Sequence, residues 1–334
     1  MASSKTPATI LVVGATGQQG GAVITALLGD RNPSTPEPRV LALTRNTQSA
    51  KAQQLTRTHP AVELIQGDMN KPEQVFSAAA AAAAAITAVF VVTTPNHGRG
   101  PGEDEVAIPF IDAAVAHGVG RVVFSSVDRG GDDKSWTNAT DVPHFRQKHL
   151  VELHLREKLA AGGEESQSQS QSQQQQQFSY TIVRPVAFMD NMNPGIACSV
   201  MTAAWAAALS PGRKLQLVSV RDVGRVAARA LLADYDDGDR GRRYKNAAIG
   251  VAGDELSLEQ VKEVFARVTG KSLPQAWWPV GGVLLWALGE LGSMFGFFER
   301  EGYGVELDKM RLDEAGAMLD FETWLKEESG WMKT

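Results

Sequence analysis

Two side chains stand out as able to move or orient a proton: His144 and Lys148, in the run Val142-Pro143-His144-Phe145-Arg146-Gln147-Lys148. Residues four apart share one face of a helix, so the imidazole and the ammonium can point the same way. An unperturbed imidazole titrates at about 6.5, which suits it to give or take a proton near neutrality. Like-charge repulsion from the ammonium would lower that value and make the ring a better base than acid. Two readings stay open: Lys148 holds a ribose and orients a ring in a pure binding role, or His144 assists proton transfer beside it. His144, His149 and His154 are five apart. That spacing turns each ring off the face of the one before, so they do not form a metal cluster. With six histidines and one cysteine, no metal site is expected.

A second constellation is Gly14-Ala15-Thr16-Gly17-Gln18-Gln19-Gly20, with Gly21 next, directly after the apolar run Thr9–Val13. Glycines three apart between a strand and a helix allow positive φ angles. They also permit close approach of backbone to a pyrophosphate and tight packing of helix on strand. The free N–H groups and dipole of the helix start then face the phosphates. Gly14, Thr16, Gly17, Gln18, Gln19 and Gly20 are therefore expected to bind a dinucleotide. The end of the second strand selects which one. An acid there holds an unphosphorylated ribose, but this chain has Leu43-Thr44-Arg45-Asn46. The Arg45 guanidinium offers a charged fork to a 2′-phosphate, so the expected cofactor is NADP(H). Asp68, in Gln66-Gly67-Asp68-Met69, is placed to meet the adenine amino group. Thr93, Thr94, Pro95 and Asn96 should line the crevice outside the strand ends.

The elements that must position these residues are legible as alternation. Thr9–Val13, Arg39–Leu43, Val62–Gln66, Thr87–Val92 and Arg121–Ser125 read as strands buried on both faces. Helix-length segments separate them, which predicts βαβ units and a doubly wound parallel sheet. The predicted organisation is a dinucleotide-binding α/β domain over residues 1–190 and a smaller α/β substrate lobe over 191–334. The two are expected to interleave around 214–233. The tract 162–177 (GGEESQSQSQSQQQQQ) has no apolar residue and is expected to be a disordered surface loop. Aromatic residues of the second lobe (Trp277, Trp278, Trp286, Phe295, Phe297 and Phe298) could wall an apolar pocket, although a plain core also explains them.

Composition narrows the function classes. The 334 residues are 43% hydrophobic and 21% charged, with a formal net charge of −5, which disfavours a phosphate-backbone-binding surface and hence nucleic acid. A single cysteine, Cys198, rules out an internal disulfide framework and fits a reducing compartment. The N-terminal apolar run ends in a glycine turn and does not read as a signal peptide, so a cytoplasmic location is expected. The apolar stretch Trp277–Phe298 contains Glu290 and several glycines, so a buried helix is expected there rather than a membrane span.

At these residues the chain resembles the NmrA-like family of atypical short-chain dehydrogenases/reductases. The resemblance rests on GATGQQGG (14–21), TRN (44–46), QGDM (66–69), HFRQK (144–148), RPVAFMDN (184–191), SVRDVG (219–224) and FETWLKEESGW (321–331). It implies a Rossmann domain with a smaller C-terminal lobe and ligands received between them. It also implies that reductases of this architecture carry a Tyr-x-x-x-Lys pair where this chain has His144-x-x-x-Lys148. The tyrosine of that pair donates the proton, and the lysine lowers its pKa and holds the nicotinamide ribose. Carried over, the phosphate loop is Gly14 to Gly20, Arg45 meets the 2′-phosphate and Asp68 meets the adenine. Lys148 takes the family lysine's place, and Phe188 and Asn191 line the substrate end. The family divides into true reductases and dinucleotide-sensing regulators that act through a protein partner. The missing tyrosine weakens alcohol dehydrogenation but leaves reduction of a small, largely apolar carbonyl, enone or imine open. A reductase with a small-molecule substrate is the favoured expectation, a regulator with a protein partner the alternative, and a structural protein on a relic fold the weakest.

Overall fold

The computed structural model describes residues 6–29, 36–82, 85–95, 100–168, 178–235, 239–276, 289–314 and 318–332. In the first part of the chain β1 (Thr9–Val12), β2 (Arg39–Thr44), β3 (Val62–Gln66), β4 (Ala88–Val92) and β5 (Arg121–Ser125) alternate with α1 (Gln18–Gly29), α2 (Ala50–Thr58), α3 (Pro72–Ala82) and α4 (Glu103–Ala116). There follow α5 (Asp132–Ser135), α6 (Pro143–Ser168), β6 (Ser179–Pro185), β7 (Ala187–Phe188) and a 3-10 turn at Met189–Met192. Next come α7 (Ile196–Ala208), β8 (Lys214–Val218), α8 (Val220–Leu231), α9 (Asp239–Arg243), β9 (Ala247–Val251) and β10 (Asp254–Ser257). The chain closes with α10 (Leu258–Thr269), α11 (Gly289–Arg300), α12 (Leu307–Asp313) and α13 (Phe321–Glu327).

Seven strands form one sheet in the order β3-β2-β1-β4-β5-β6-β9. β1 pairs in parallel with both β2 and β4, and β2 with β3, β4 with β5 and β5 with β6 are parallel as well. Every residue of β1, β5 and β6 is buried, as expected of strands covered on both faces. The chain winds from β1 out to β3, then returns past β1 to start β4. The order therefore reverses between β1 and β4, and such sheets hold ligands outside the strand ends at that point.

The chain divides into two compact units. The first comprises Met1–Ser126, Gln147–Val183 and Val223–Ile249, and the second Val127–Arg146, Arg184–Asp222 and Gly250–Thr334. The chain passes between the units several times. The first unit takes residues 223–249, with most of α8, all of α9 and most of β9, and the second takes the loop after β5.

The second unit has its own three-stranded sheet, β10-β8-β7, antiparallel at β10·β8 and parallel at β7·β8. Its hydrophobic core includes Phe145, Trp205, Phe265, Phe295 and Phe297. Phe295, Phe297 and Phe298 are fully buried and meet one another edge to face, so they fill this core rather than wall an open pocket. Trp277, Trp278 and Trp286 lie outside the described residues. Cys198 is buried in the same core, and burial pushes its thiol up to about 11.

The tract 162–177 departs in part from expectation, because α6 continues through Ser168. A helix already nucleated propagates at little cost through Glu, Ser and Gln. Residues 169–177 lie outside the described residues. Among the described residues no helix is long and apolar enough to cross a membrane.

Candidate functional site

The site is built in the first unit, where β1 ends against β4. Gly14 takes a left-handed φ of 66°, and a Cβ there would stand 2.7 Å from Val92 Cγ1. A Cβ on Gly20 would lie 2.6 Å from the Gly14 carbonyl carbon. Both positions therefore require glycine, one for conformation and closeness and the other for closeness alone. The turn is tied by Gly17 N–H donating to the Gly14 carbonyl (2.8 Å), and Gly21 N–H donates to the Gly17 carbonyl (3.0 Å). Gly14, Gly17 and Gln18 are exposed, and Thr16 and Gln19 partly so. The first-turn N–H groups of α1 have no intrahelical partner to point at, so the cradle has the shape and polarity that a pyrophosphate needs. Ser125, at the end of β5, donates its hydroxyl to Gln19 Oε1 (2.5 Å), which braces the start of α1.

Arg45 stands exposed directly after β2. Asp68, after β3, accepts on Oδ1 from the Asn70 backbone N–H (3.0 Å) and side-chain amide (2.8 Å). Those bonds hold its carboxyl below the usual range, with a smaller contribution from the charges of Arg45 and Lys71. Arg45 and Asp68 therefore share one patch at adjacent strand ends, a cation and an ionised acceptor together.

Lys148 is buried, and its ammonium donates to Glu103 Oε2 (2.6 Å) and Thr93 Oγ1 (3.0 Å). The Thr93 hydroxyl donates in turn to the same Glu103 oxygen. Thr93 follows Val92, the residue that abuts Gly14, so the glycine turn and Lys148 are linked through the end of β4. Thr94 is exposed one residue further on, and Asn96 lies outside the described residues.

In the second unit His144 Nδ1 meets Glu290 Oε1 at 2.6 Å, and the ring sits edge-on to Phe145 at 4.6 Å. The charge seen at this ring is a carboxylate, opposite in sign to the one that helical spacing alone suggests. Phe188 is partly exposed at the end of β7, and Asn191 is exposed in the turn that follows. Among the described residues no group of three or more His, Cys, Asp or Glu is placed to hold a metal.

Glu103 and Glu290 are the residues that sequence reasoning passes over. Glu103 looks like one of three acids opening a helix, an ordinary dipole-compensating position. Glu290 did carry a sign, because a carboxylate in an apolar stretch needs a partner.

Fold and site together define a Rossmann-type α/β protein with a glycine-rich turn at the switch point of its sheet and an added C-terminal α/β lobe. The chain belongs to the NmrA-like family, which it matches over residues 6–325. It is 29% identical over 148 residues to an NmrA-like family domain-containing protein of Dictyostelium discoideum, a match spanning 44% of this chain and 45% of that one. Among solved structures it is similar to the triphenylmethane reductase of Citrobacter sp. complexed with NADP(H) (17% identity, TM-score 0.65, 94% of this chain and 98% of that one). It is equally similar to NmrA, a negative transcriptional regulator in complex with NADP (20% identity, TM-score 0.64, 98% and 100%). At these identities the likeness establishes a shared fold.

Proposed function

We propose that this chain binds NADP(H) on its first unit and reduces a small, largely apolar carbonyl, enone or imine. The observation that carries the reading is Arg45, an exposed guanidinium directly after β2 where an unphosphorylated ribose would call for an acid. The glycine cradle fits a pyrophosphate, because a Cβ at Gly14 or Gly20 would strike Val92 or the Gly14 backbone, and without one the turn closes tightly and leaves the first N–H groups of α1 open. In this reading Gly14, Thr16, Gly17, Gln18, Gln19 and Gly20 hold the phosphates and Asp68 accepts from the adenine amine. Thr93, Thr94 and Lys148 face the nicotinamide ribose. The bound dinucleotide supplies hydride. Lys148 orients, and His144, held through Nδ1 by Glu290, assists the proton transfer. Phe188 and Asn191 contact substrate.

A second reading, a dinucleotide-responsive regulator, is favoured by one observation. Two of the three N–H groups of the Lys148 ammonium and the Ser125 hydroxyl proton are given to internal bonds. Calorimetry with NADPH and NADH, followed by nicotinamide absorbance with a panel of enones, imines and aldehydes, tests both. Tight NADPH binding with turnover supports the reductase. Tight binding without turnover, but with NADPH-dependent capture of a protein, supports the regulator, and stronger binding of NADH removes the reading of Arg45.

A further inference from the structure

We infer that Glu103 is a positioning residue for the nicotinamide-ribose end of the dinucleotide, acting through Lys148; the inference rests on the NADP(H) reading above. Its side chain is 1% exposed, and that of Lys148 is 10% exposed. A lysine on a flexible four-carbon stem ordinarily pays rotamer entropy when it binds a ligand. Here that cost is met during folding, because Oε2 of Glu103 and the hydroxyl of Thr93 fix two of the three ammonium donors. One N–H remains on a nitrogen fixed between Thr93, Glu103 and, 5.8 Å away, the ring of Phe124, and it can be offered to a single ligand oxygen.

Glu103 is itself gripped twice by consecutive residues of α6. Gln147 Oε1 accepts from its backbone N–H (3.1 Å), and Lys148 takes its carboxylate. The start of α4 and the Lys148 turn of α6 are therefore locked in register by one residue. The bonding is also lopsided. Oε2 receives two donors, whereas Oε1 is buried with no hydrogen-bond partner among the described residues. A carboxylate retained in so unfavourable a setting is poorly explained as a stabilising element, since a buried ion pair is weak evidence for stability. Preorganisation of Lys148 explains it.

The test compares two ligands by calorimetry on the full chain: NADPH, and adenosine 2′,5′-bisphosphate, which lacks the nicotinamide ribose. Glu103→Gln should weaken NADPH by about tenfold and change the bisphosphate by less than about twofold. Lys148→Met should do the same, and the double variant should bind NADPH no more weakly than Lys148→Met alone, because the two act as one unit. Thr93→Val removes one of the two ammonium partners without removing a charge, and a selective loss for NADPH is expected there too. It carries the test if the Glu103 variants fail to fold. Equal weakening of both ligands, unchanged NADPH affinity in all variants, or losses that simply add in the double variant would overturn the role of Glu103 while leaving the cofactor reading intact. Failure of the unaltered chain to bind either ligand would remove the cofactor reading and this inference together.

Discussion

The two units solve the same backbone problem by different means. In the first, the peptide groups are paired by a long ladder of parallel strands, and the side chains are left to pack. In the second, strands are few and short, and buried or partly buried charged side chains take over the pairing. Asp128 accepts from the N–H groups of Gly130, Gly131 and Gly304, and Arg129 donates to the carbonyls of Val127, Ser135 and Asn138. Asp222 takes the Leu319 N–H, Asp190 the Val220 N–H and Asp254 the Phe321 N–H. An irregular chain can be buried only if something satisfies each peptide group, and here ionic side chains do so. The lesson is that a charge in a core can be a substitute for missing secondary structure.

Arg129→Met should produce the largest effect, because it leaves two buried carbonyls and a partly buried one without their donor. Loss of about 3 kcal/mol or more is expected in urea denaturation. A loss below about 1 kcal/mol would mean that water replaces the guanidinium and that the contrast between the units is overstated. In the first unit the corresponding probe is functional. Arg45→Ala should weaken NADPH by about ten- to a hundredfold, equivalent to roughly 1.5–3 kcal/mol, and leave NADH unchanged. Titration calorimetry reads both, and equal losses would show that Arg45 does not read the 2′-phosphate.

The smallest effect sharpens the contrast through pH. Burial raises the Asp128 carboxyl above its usual value, opposed by the three glycine N–H bonds and the Arg184 charge. The folded state therefore binds this proton more tightly than the unfolded chain does. Its stabilising contribution is fully present below the ordinary carboxylate pKa and declines as pH rises through the raised one. The stability of the unaltered chain relative to Asp128→Asn should fall across that window and then level off. A gap that grows with pH in favour of the aspartate would mean that the N–H bonds outweigh burial.

Legibility in the sequence follows the same divide. Strands covered on both faces leave apolar runs, so β1 to β5 could be placed from residue types, and the parallel sheet followed. Arg45 and Asp68 could be located because the fold puts functional positions at strand ends. β7 and β10 have two and four residues, too few to show a period, and the second sheet stayed hidden. The ion pairs were hidden for another reason. Lys148 and Glu103 are 45 positions apart, and His144 and Glu290 146 apart, so only the folded chain brings the partners together. Helical spacing alone pointed His144 toward Lys148 and gave no sign of Glu290.

The lone sulfhydryl has a further consequence. Burial pushes the Cys198 thiol up to about 11, so it stays protonated at neutrality, and it has no exposed surface. A thiolate is the form that attacks peroxide or glutathione disulfide, so a buried thiol held protonated is a poor nucleophile toward either. If this protein reports the reducing state of its surroundings, it does so by which nucleotide it carries, and sulfur chemistry plays no part.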